Sequence, residues 1–170
     1  TNMFRVGLSS VHDYIPLREE KRHVVNYLYI QGVRYGERLK YEIEIPEAYE
    51  NIIVPKLILQ PLVENAIYHG IKLKRTGGTI RVSSRADEER LYLSVRDNGA
   101  GISAERLADI RVWLADPKSR ERQVGFGLSY MEERIELSYG SGYGLSIDSR
   151  EGEFTEVVIC LPVQGGERNV

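Results

Sequence analysis

Leu57-Ile58-Leu59-Gln60-Pro61-Leu62-Val63-Glu64-Asn65-Ala66-Ile67-Tyr68-His69-Gly70 is apolar on nearly every side from Leu57 to Val63, then turns polar. That pattern predicts a buried helix with functional groups at its far end, because polar side chains on a buried helix need partners. Pro55 suits a first helical turn. The expected helix therefore runs from Pro55 to about His69 and stops at Gly70. Pro61 falls inside it and should cost one backbone bond or bend it. Asn65 and His69 are four residues apart and share a face, while Glu64 lies about 100° round from Asn65.

Working outward, residues 17–35 carry apolar side chains at Leu17, Val24, Leu28 and Tyr35, which predicts a helix ended by Gly36. Leu39 to Ile45 alternates strictly and reads as a half-buried strand closed by Pro46. Residues 78–97 read as a hairpin around Asp87-Glu88-Glu89, with Ile80 and Val82 on one arm and Leu91, Leu93 and Val95 on the other. Ser103 is placed to cap a helix running through Trp113, with Asp116-Pro117 closing it. The charged run Lys118 to Gln123 reads as a mobile loop. A second helix over about 126–139 is stopped by Gly140, and two closing strands, Gly144–Ser149 and Phe154–Leu161, are joined through Glu151-Gly152. Helices and antiparallel hairpins in this order predict a two-layer α/β sandwich.

The composition of the 170 residues narrows the function. Net charge is -2, so there is no basic excess to neutralise phosphates and no nucleic-acid partner is expected. Cys160 is the one cysteine, which excludes an intramolecular disulfide; its apolar run Val157-Val158-Ile159-Cys160-Leu161 predicts a buried, inert thiol. No apolar run reaches the ~18 residues of a membrane span, so the chain is expected to be soluble. It opens on Thr1-Asn2-Met3-Phe4 without a start signal and reads as a piece of a longer protein.

Two further segments carry chemistry. Asp97-Asn98-Gly99-Ala100-Gly101 ends a strand; an Asn-Gly pair is a turn signal, and Asp97 at a strand end can accept a hydrogen bond from a ligand amino group. Gly125-Phe126-Gly127-Leu128 opens a helix, whose N–H groups can meet phosphate oxygens. Asn65 offers an amide oxygen to a magnesium ion, which takes oxygen ligands and keeps several waters. Arg120 and Arg122 can close over phosphates or belong to a solvated charge run.

The three segments, in this order and spacing, resemble the GHKL superfamily of ATP-binding domains. Leu57 to Ala66 is similar to the LytS/YesM type of sensor histidine kinase, and the resemblance extends from about Met3 to Leu161. It implies the Bergerat fold, a mixed sheet with helices on one face. It implies ATP and Mg2+ as ligands, with Glu64, Asn65 and His69 catalytic and Asn65 on the metal. Glu64 would polarise the site or act on a bound water. It assigns nucleotide contacts to Asp97, which reads adenine N6, and to Asn98, Gly99, Gly101, Ile102, Gly125, Phe126, Gly127, Leu128 and Lys72.

Two departures bear on mechanism. The ATP-hydrolysing branch of the superfamily has a Glu four residues before the magnesium Asn; here that position is Pro61, so water lacks a general base and transfer to another nucleophile is favoured. Members often carry Lys just before the His; here it is Tyr68, and phosphate neutralisation passes to Lys72, Lys74 or Arg75. The family's acceptor His precedes a Phe and lies upstream of the matched region. His12, His23 and His69 are followed by Asp13, Val24 and Gly70, so none qualifies.

The resemblance thus implies the end of a dimerisation helix region over 1–36, a catalytic domain over 37–163 and a flexible tail over 164–170. It implies a homodimeric full-length kinase, a response regulator as partner and a place at the cytoplasmic end of a membrane-anchored sensor. The alternatives are a GHKL ATPase and a non-catalytic nucleotide-binding module.

Overall fold

The computed structural model describes residues 13–116 and 127–163. The elements are β1 (Tyr14–Pro16), α1 (Leu17–Tyr35), β2 (Leu39–Glu44), β3 (Ile53–Pro55), α2 (Gln60–Asn65), a π turn (Ala66–Ile71), β4 (Gly78–Ala86), β5 (Arg90–Asp97), α3 (Ala104–Ala115), α4 (Leu128–Tyr139), β6 (Gly144–Arg150) and β7 (Phe154–Pro162). Five strands form a mixed sheet in the order β2-β4-β5-β7-β6, parallel between β2 and β4 and antiparallel elsewhere. β1 and β3 make a separate antiparallel pair.

Period-two alternation divides the sheet into two faces. Val82, Val95, Val157 and Ile147 stand in register across four strands and are all buried. With Ile80, Leu91, Leu93, Ile159 and Leu161 they pack under the helices. The opposite face carries Arg81, Arg96, Glu156 and Asp148 in one register row. It is tied by pairs such as Arg96 Nη1 to Glu156 Oε2 at 3.2 Å. α1 belongs to the same core: Leu17, Val24 and Leu28 are fully buried.

Most predicted elements form as expected, and three expectations are corrected. Pro55 does not open a helix; it ends β3, paired with Tyr14. The helix starts at Gln60, so Pro61 sits in its first turn, where no backbone bond is lost. The delay has a visible cause. Leu57 takes a left-handed φ of 58°, and the N–H groups of Leu57, Ile58 and Leu59 all donate to the Glu20 carboxylate, at 2.6, 3.0 and 3.1 Å. Successive N–H groups folded this way make an anion nest. The fully buried Glu20 of α1 fills it.

The second correction is at Gly70, which does not stop the helix. The chain passes into a π turn in which Lys72 N–H donates to Ile67 O, five residues back, at 2.8 Å. The third is Cys160. Alternation turns 157, 159 and 161 inward, leaving Cys160 half-buried on the polar face, where Arg90 Nη1 donates to its Sγ at 3.7 Å.

Candidate functional site: a cavity between the π turn, the sheet end and two helix starts

A cavity of about 240 Å³ opens at one end of the core. Asn65, His69 and Gly70 line one side, Asp97, Gly101 and Ile102 the floor, Leu128 the start of α4, and Val157 and Thr155 the neighbouring strand. Asp97 reaches the floor because it is the last residue of β5 and points to the helix side, in register with Thr155.

The floor is held by close backbone approach. A methyl group on Gly70 would stand 2.3 Å from Asp97 Oδ1, and one on Gly99 would stand 2.3 Å from the carbonyl carbon of Gly70. Gly99 N–H donates to Asp97 Oδ1 at 2.9 Å and Ala100 N–H to Gly70 O at 3.2 Å. The π turn widens the helix by one residue per turn and brings Gly70 onto this loop; such turns recur at functional sites. Asp97 is 3% exposed, and burial pushes its carboxyl up to about 6, with the Gly99 N–H and the charges of Arg96 and Lys74 pulling the other way. At neutral pH it is therefore largely a buried carboxylate. One oxygen is held by Gly99, which leaves Oδ2 available to a ligand's N–H.

At the other end stand Asn65 and His69, both half-buried. Burial pushes the His69 imidazole below its usual range, so it is neutral at pH 7. Among the described residues no group of three or more His, Cys, Asp or Glu converges on a metal position. A divalent ion at Asn65 would take one protein oxygen and fill its shell with phosphate oxygens and water. That arrangement suits magnesium, and Asn65 fits it.

The structure separates the expected ligand contacts. Asp97, Gly101, Ile102, Leu128, Asn65 and His69 all line the one cavity. Asn98 is turned away: its Oδ1 accepts from Thr79 N–H at 2.7 Å, and its carbonyl accepts from Lys74 Nζ at 2.8 Å. Gly99 lies under the floor rather than on it. Gly127 supplies the left-handed residue, φ 64°, that opens α4. Lys72 stacks over the Tyr68 ring, 4.3 Å from its centroid, away from the cavity. Glu64 is exposed beside the cavity, with Gln60 Nε2 donating to its Oε1 at 3.0 Å. Gly125, Phe126, Arg120, Arg122 and His12 lie outside the described residues.

Three polar or charged wall residues escaped the sequence reading of the site: Arg106, Glu151 and Thr155. Arg106 is a cation of α3, one turn past Ser103, whose Oγ accepts from Arg106 N–H at 3.3 Å. Its guanidinium lies 4.5 Å over the Trp113 ring. The cap was legible; that it brings Arg106 to the cavity wall was not. Thr155 follows only from the β5–β7 register.

Comparison with known proteins bears on the family and the fold. The family described as "Histidine kinase-, DNA gyrase B-, and HSP90-like ATPase" matches residues 51–165. Sensor histidine kinase YesM of Bacillus subtilis is 34% identical over 157 residues, 91% of this chain and 25% of that protein. Sensor protein kinase HptS of Staphylococcus aureus is 30% identical over all 170 residues, 32% of that protein. The chain thus spans a quarter to a third of these relatives. Two solved structures share the fold: the histidine kinase domain of the Erythrobacter litoralis EL346 blue-light activated kinase and the catalytic domain of histidine kinase ThkA. The TM-scores are 0.59 and 0.61, the identities 21% and 18%, with 88% of this chain covered in each case and 62% and 93% of the other. The family description, matched over two thirds of the residues, together with a relative 34% identical over 91% of the chain, places this chain in the histidine kinase-, DNA gyrase B- and HSP90-like ATPase family.

Proposed function

We propose that this chain is the ATP-binding catalytic domain of a two-component sensor histidine kinase, which transfers the γ-phosphoryl group of ATP to a histidine on dimerisation helices outside this sequence. The observation that carries the reading is the buried Asp97 carboxylate joined by one cavity to Asn65 and His69. A carboxylate with an oxygen left for an N–H donor selects adenine, whose N6 donates, over guanine, which presents a carbonyl there. The phosphates then extend toward Asn65, Arg106 and the start of α4, whose free N–H groups suit anions.

Phosphoryl transfer is mostly positioning and charge neutralisation. Magnesium held by Asn65 and the phosphates would supply that neutralisation. Arg106 adds a cation to the cavity wall, besides the expected candidates Lys72, Lys74 and Arg75. His69 stays neutral and orients groups through hydrogen bonds. Pro61 removes the general-base position used for hydrolysis, which favours a kinase over an ATPase.

On this reading residues 1–36 continue from the dimerisation region, with α1 packed into the core of a catalytic domain formed by 37–163. The full-length protein is a homodimer that passes its phosphoryl group to a response regulator. No described helix is long and apolar enough to cross a membrane. We place this portion at the cytoplasmic end of a membrane-anchored sensor.

Calorimetric titration with ATP and GTP, with and without magnesium, tests the site. The wild-type protein should prefer ATP, and Asn65→Ala should lose the magnesium-dependent part of the affinity. Incubation with a separately supplied acceptor helix tests the transfer. Equal affinity for ATP and GTP would remove the role of Asp97, and multiple-turnover phosphate release without an acceptor would favour the ATPase alternative.

A further inference from the structure

The chain that leads into α2 is fastened from three directions at one short segment, Lys56 to Leu59. Lys56 N–H donates to Asp13 O at 2.7 Å, beside the β1–β3 pairing of Tyr14 with Pro55. Lys56 O accepts from Arg134 Nη1 of α4 at 2.8 Å. The next three N–H groups donate to the Glu20 carboxylate of α1. We propose that this segment is the joint that positions the nucleotide site, with Glu20 and Arg134 as positioning residues for Asn65 on α2 and for the start of α4. The proposal rests on the nucleotide-site reading above and adds to it two residues that lie outside the cavity.

Three observations carry it. The first is that α2 has no cap of its own. It opens on Leu59, whose side chain offers no acceptor, where Ser, Thr, Asp or Asn ordinarily stands. The Glu20 carboxylate, 39 residues away in the chain, supplies an acceptor instead, and its charge suits the positive end of the helix dipole. α2 is six residues long and Asn65 is its last, so Asn65 stands within about two turns of the joint.

The second is where α1 meets α2. The hydrogen bonds from the α2 segment to Glu20 are at the nest. Nearer Asn65 the two helices leave room, a second cavity of about 330 Å³ walled by Tyr27, Gln31 and Arg34 of α1 and by Glu64 and Asn65 of α2. Asn65 lines this cavity as well as the nucleotide cavity. α1 therefore directs Asn65 through the start of α2.

The third is the tie to α4. Leu128, in the first turn of α4, lines the nucleotide cavity, and Arg134 of the same helix binds the joint. One segment thus holds two of the helices that border the site. A metal ligand or phosphate donor works only when held within about 0.5 Å of its place, and supporting contacts of this kind decide that.

The test separates the phosphate and metal end of the site from its adenine floor. The protein is titrated with MgATP by calorimetry and with adenosine by amide NMR shifts, at a temperature where melting curves show each variant folded. Adenosine carries the base that Asp97 reads and no phosphate. Glu20→Gln keeps the shape of Glu20 and removes its charge, and Arg134→Met keeps an apolar stem and removes the bond to Lys56. Each should lower MgATP affinity roughly tenfold, the scale of losing a group that orients a metal ligand. Adenosine affinity should stay within about twofold of wild type in both. In an Asn65→Ala background, Glu20→Gln should change MgATP affinity by less than about twofold, because it acts through Asn65. In the ligand-free protein Glu20→Gln should shift the side-chain amide signal of Asn65.

MgATP affinity left within about twofold of wild type, an equal loss for MgATP and adenosine, or a Glu20→Gln effect that adds in full to Asn65→Ala overturns the proposal and leaves Glu20 a structural acid only. Arg134→Met, at a half-buried residue, applies the same criterion if Glu20→Gln does not fold. A wild-type protein that binds neither MgATP nor adenosine overturns the nucleotide-site reading itself, and this proposal with it.

Discussion

The segment from Leu57 to Ile71 has two ends built to opposite rules. At its start three successive donors are answered. The fully buried Glu20 carboxylate takes three successive N–H groups, and that satisfaction supports the left-handed Leu57. At its finish the helix loosens into a π turn, and Gly70 leaves room for a buried carboxylate that has an oxygen to spare. Two acids, Glu20 and Asp97, are both almost wholly buried. One is compensated within the fold and secures it. The other is only partly compensated, with its carboxyl pushed up to about 6. The difference teaches where to look for function: a buried charge whose partners are incomplete is waiting for a ligand.

The comparison breaks most visibly at Glu20. Glu20→Ala would leave up to three buried N–H groups without an acceptor, at ~1–3 kcal/mol each before relaxation. A loss of about 3–5 kcal/mol in urea denaturation is expected, with Glu20→Gln intermediate. A loss below about 1 kcal/mol would show that water answers those donors as well.

Asp97 should behave in the opposite sense. Asp97→Asn is expected to weaken adenine-nucleotide binding by about 1.5–3 kcal/mol, roughly 10- to 150-fold. It should also raise the stability of the ligand-free protein at pH 8 by about 2–3 kcal/mol. The sign follows from proton uptake. The folded carboxyl titrates near 6, above its ordinary 3.8, so the folded state holds the extra proton between those values. In the wild type this contribution is fully present below 3.8 and lost as pH rises through about 6. The gain in Asp97→Asn should therefore fade on acidification, and melting curves from acid to pH 8 would read it. A variant destabilised at every pH would mean that Asp97 is a structural acid like Glu20.

Gly70→Ala places a methyl 2.3 Å from Asp97 Oδ1. It should cost about 1–3 kcal/mol of stability, as overpacking does, and displace Asp97 from the floor, so that nucleotide binding falls too. Retained affinity would separate the π turn from the site. The smallest effect is expected at Pro61. Because it occupies the first turn, Pro61→Ala should change stability by less than about 1 kcal/mol, against ~3 kcal/mol for a proline in a helix interior. A clear gain would show a strained ring there.

Local signals were read correctly where local physics decides. Gly36 and Gly140 end their helices, Ser103 caps α3, and Asp87 Oδ1 closes the hairpin by accepting from the N–H groups of Glu89 and Arg90. The alternating runs became β4, β5 and β7 with boundaries close to those expected. The site residues Asp97, Asn65, His69, Gly101, Ile102 and Leu128 were legible because they stand in a recurrent order of motifs, and the cavity unites them. The start of α2 was misread because Pro55 carries a helix-opening signal. What overrides it is an acid 35 residues earlier in the chain, which no local window contains.

By itself, the sequence of this protein determined the element types, most of their limits and the family of the nucleotide-binding motifs, because capping, alternation and glycine stops act over a few residues. Tertiary structure alone decided three things. It set the β5–β7 register that stands Thr155 beside Asp97, the helix turn that brings Arg106 to the cavity wall, and the seating of α1 that creates a second cavity against Glu64. Each depends on contacts between residues far apart in the chain, whose closure is set by the packing of the whole core and by no shorter stretch of it.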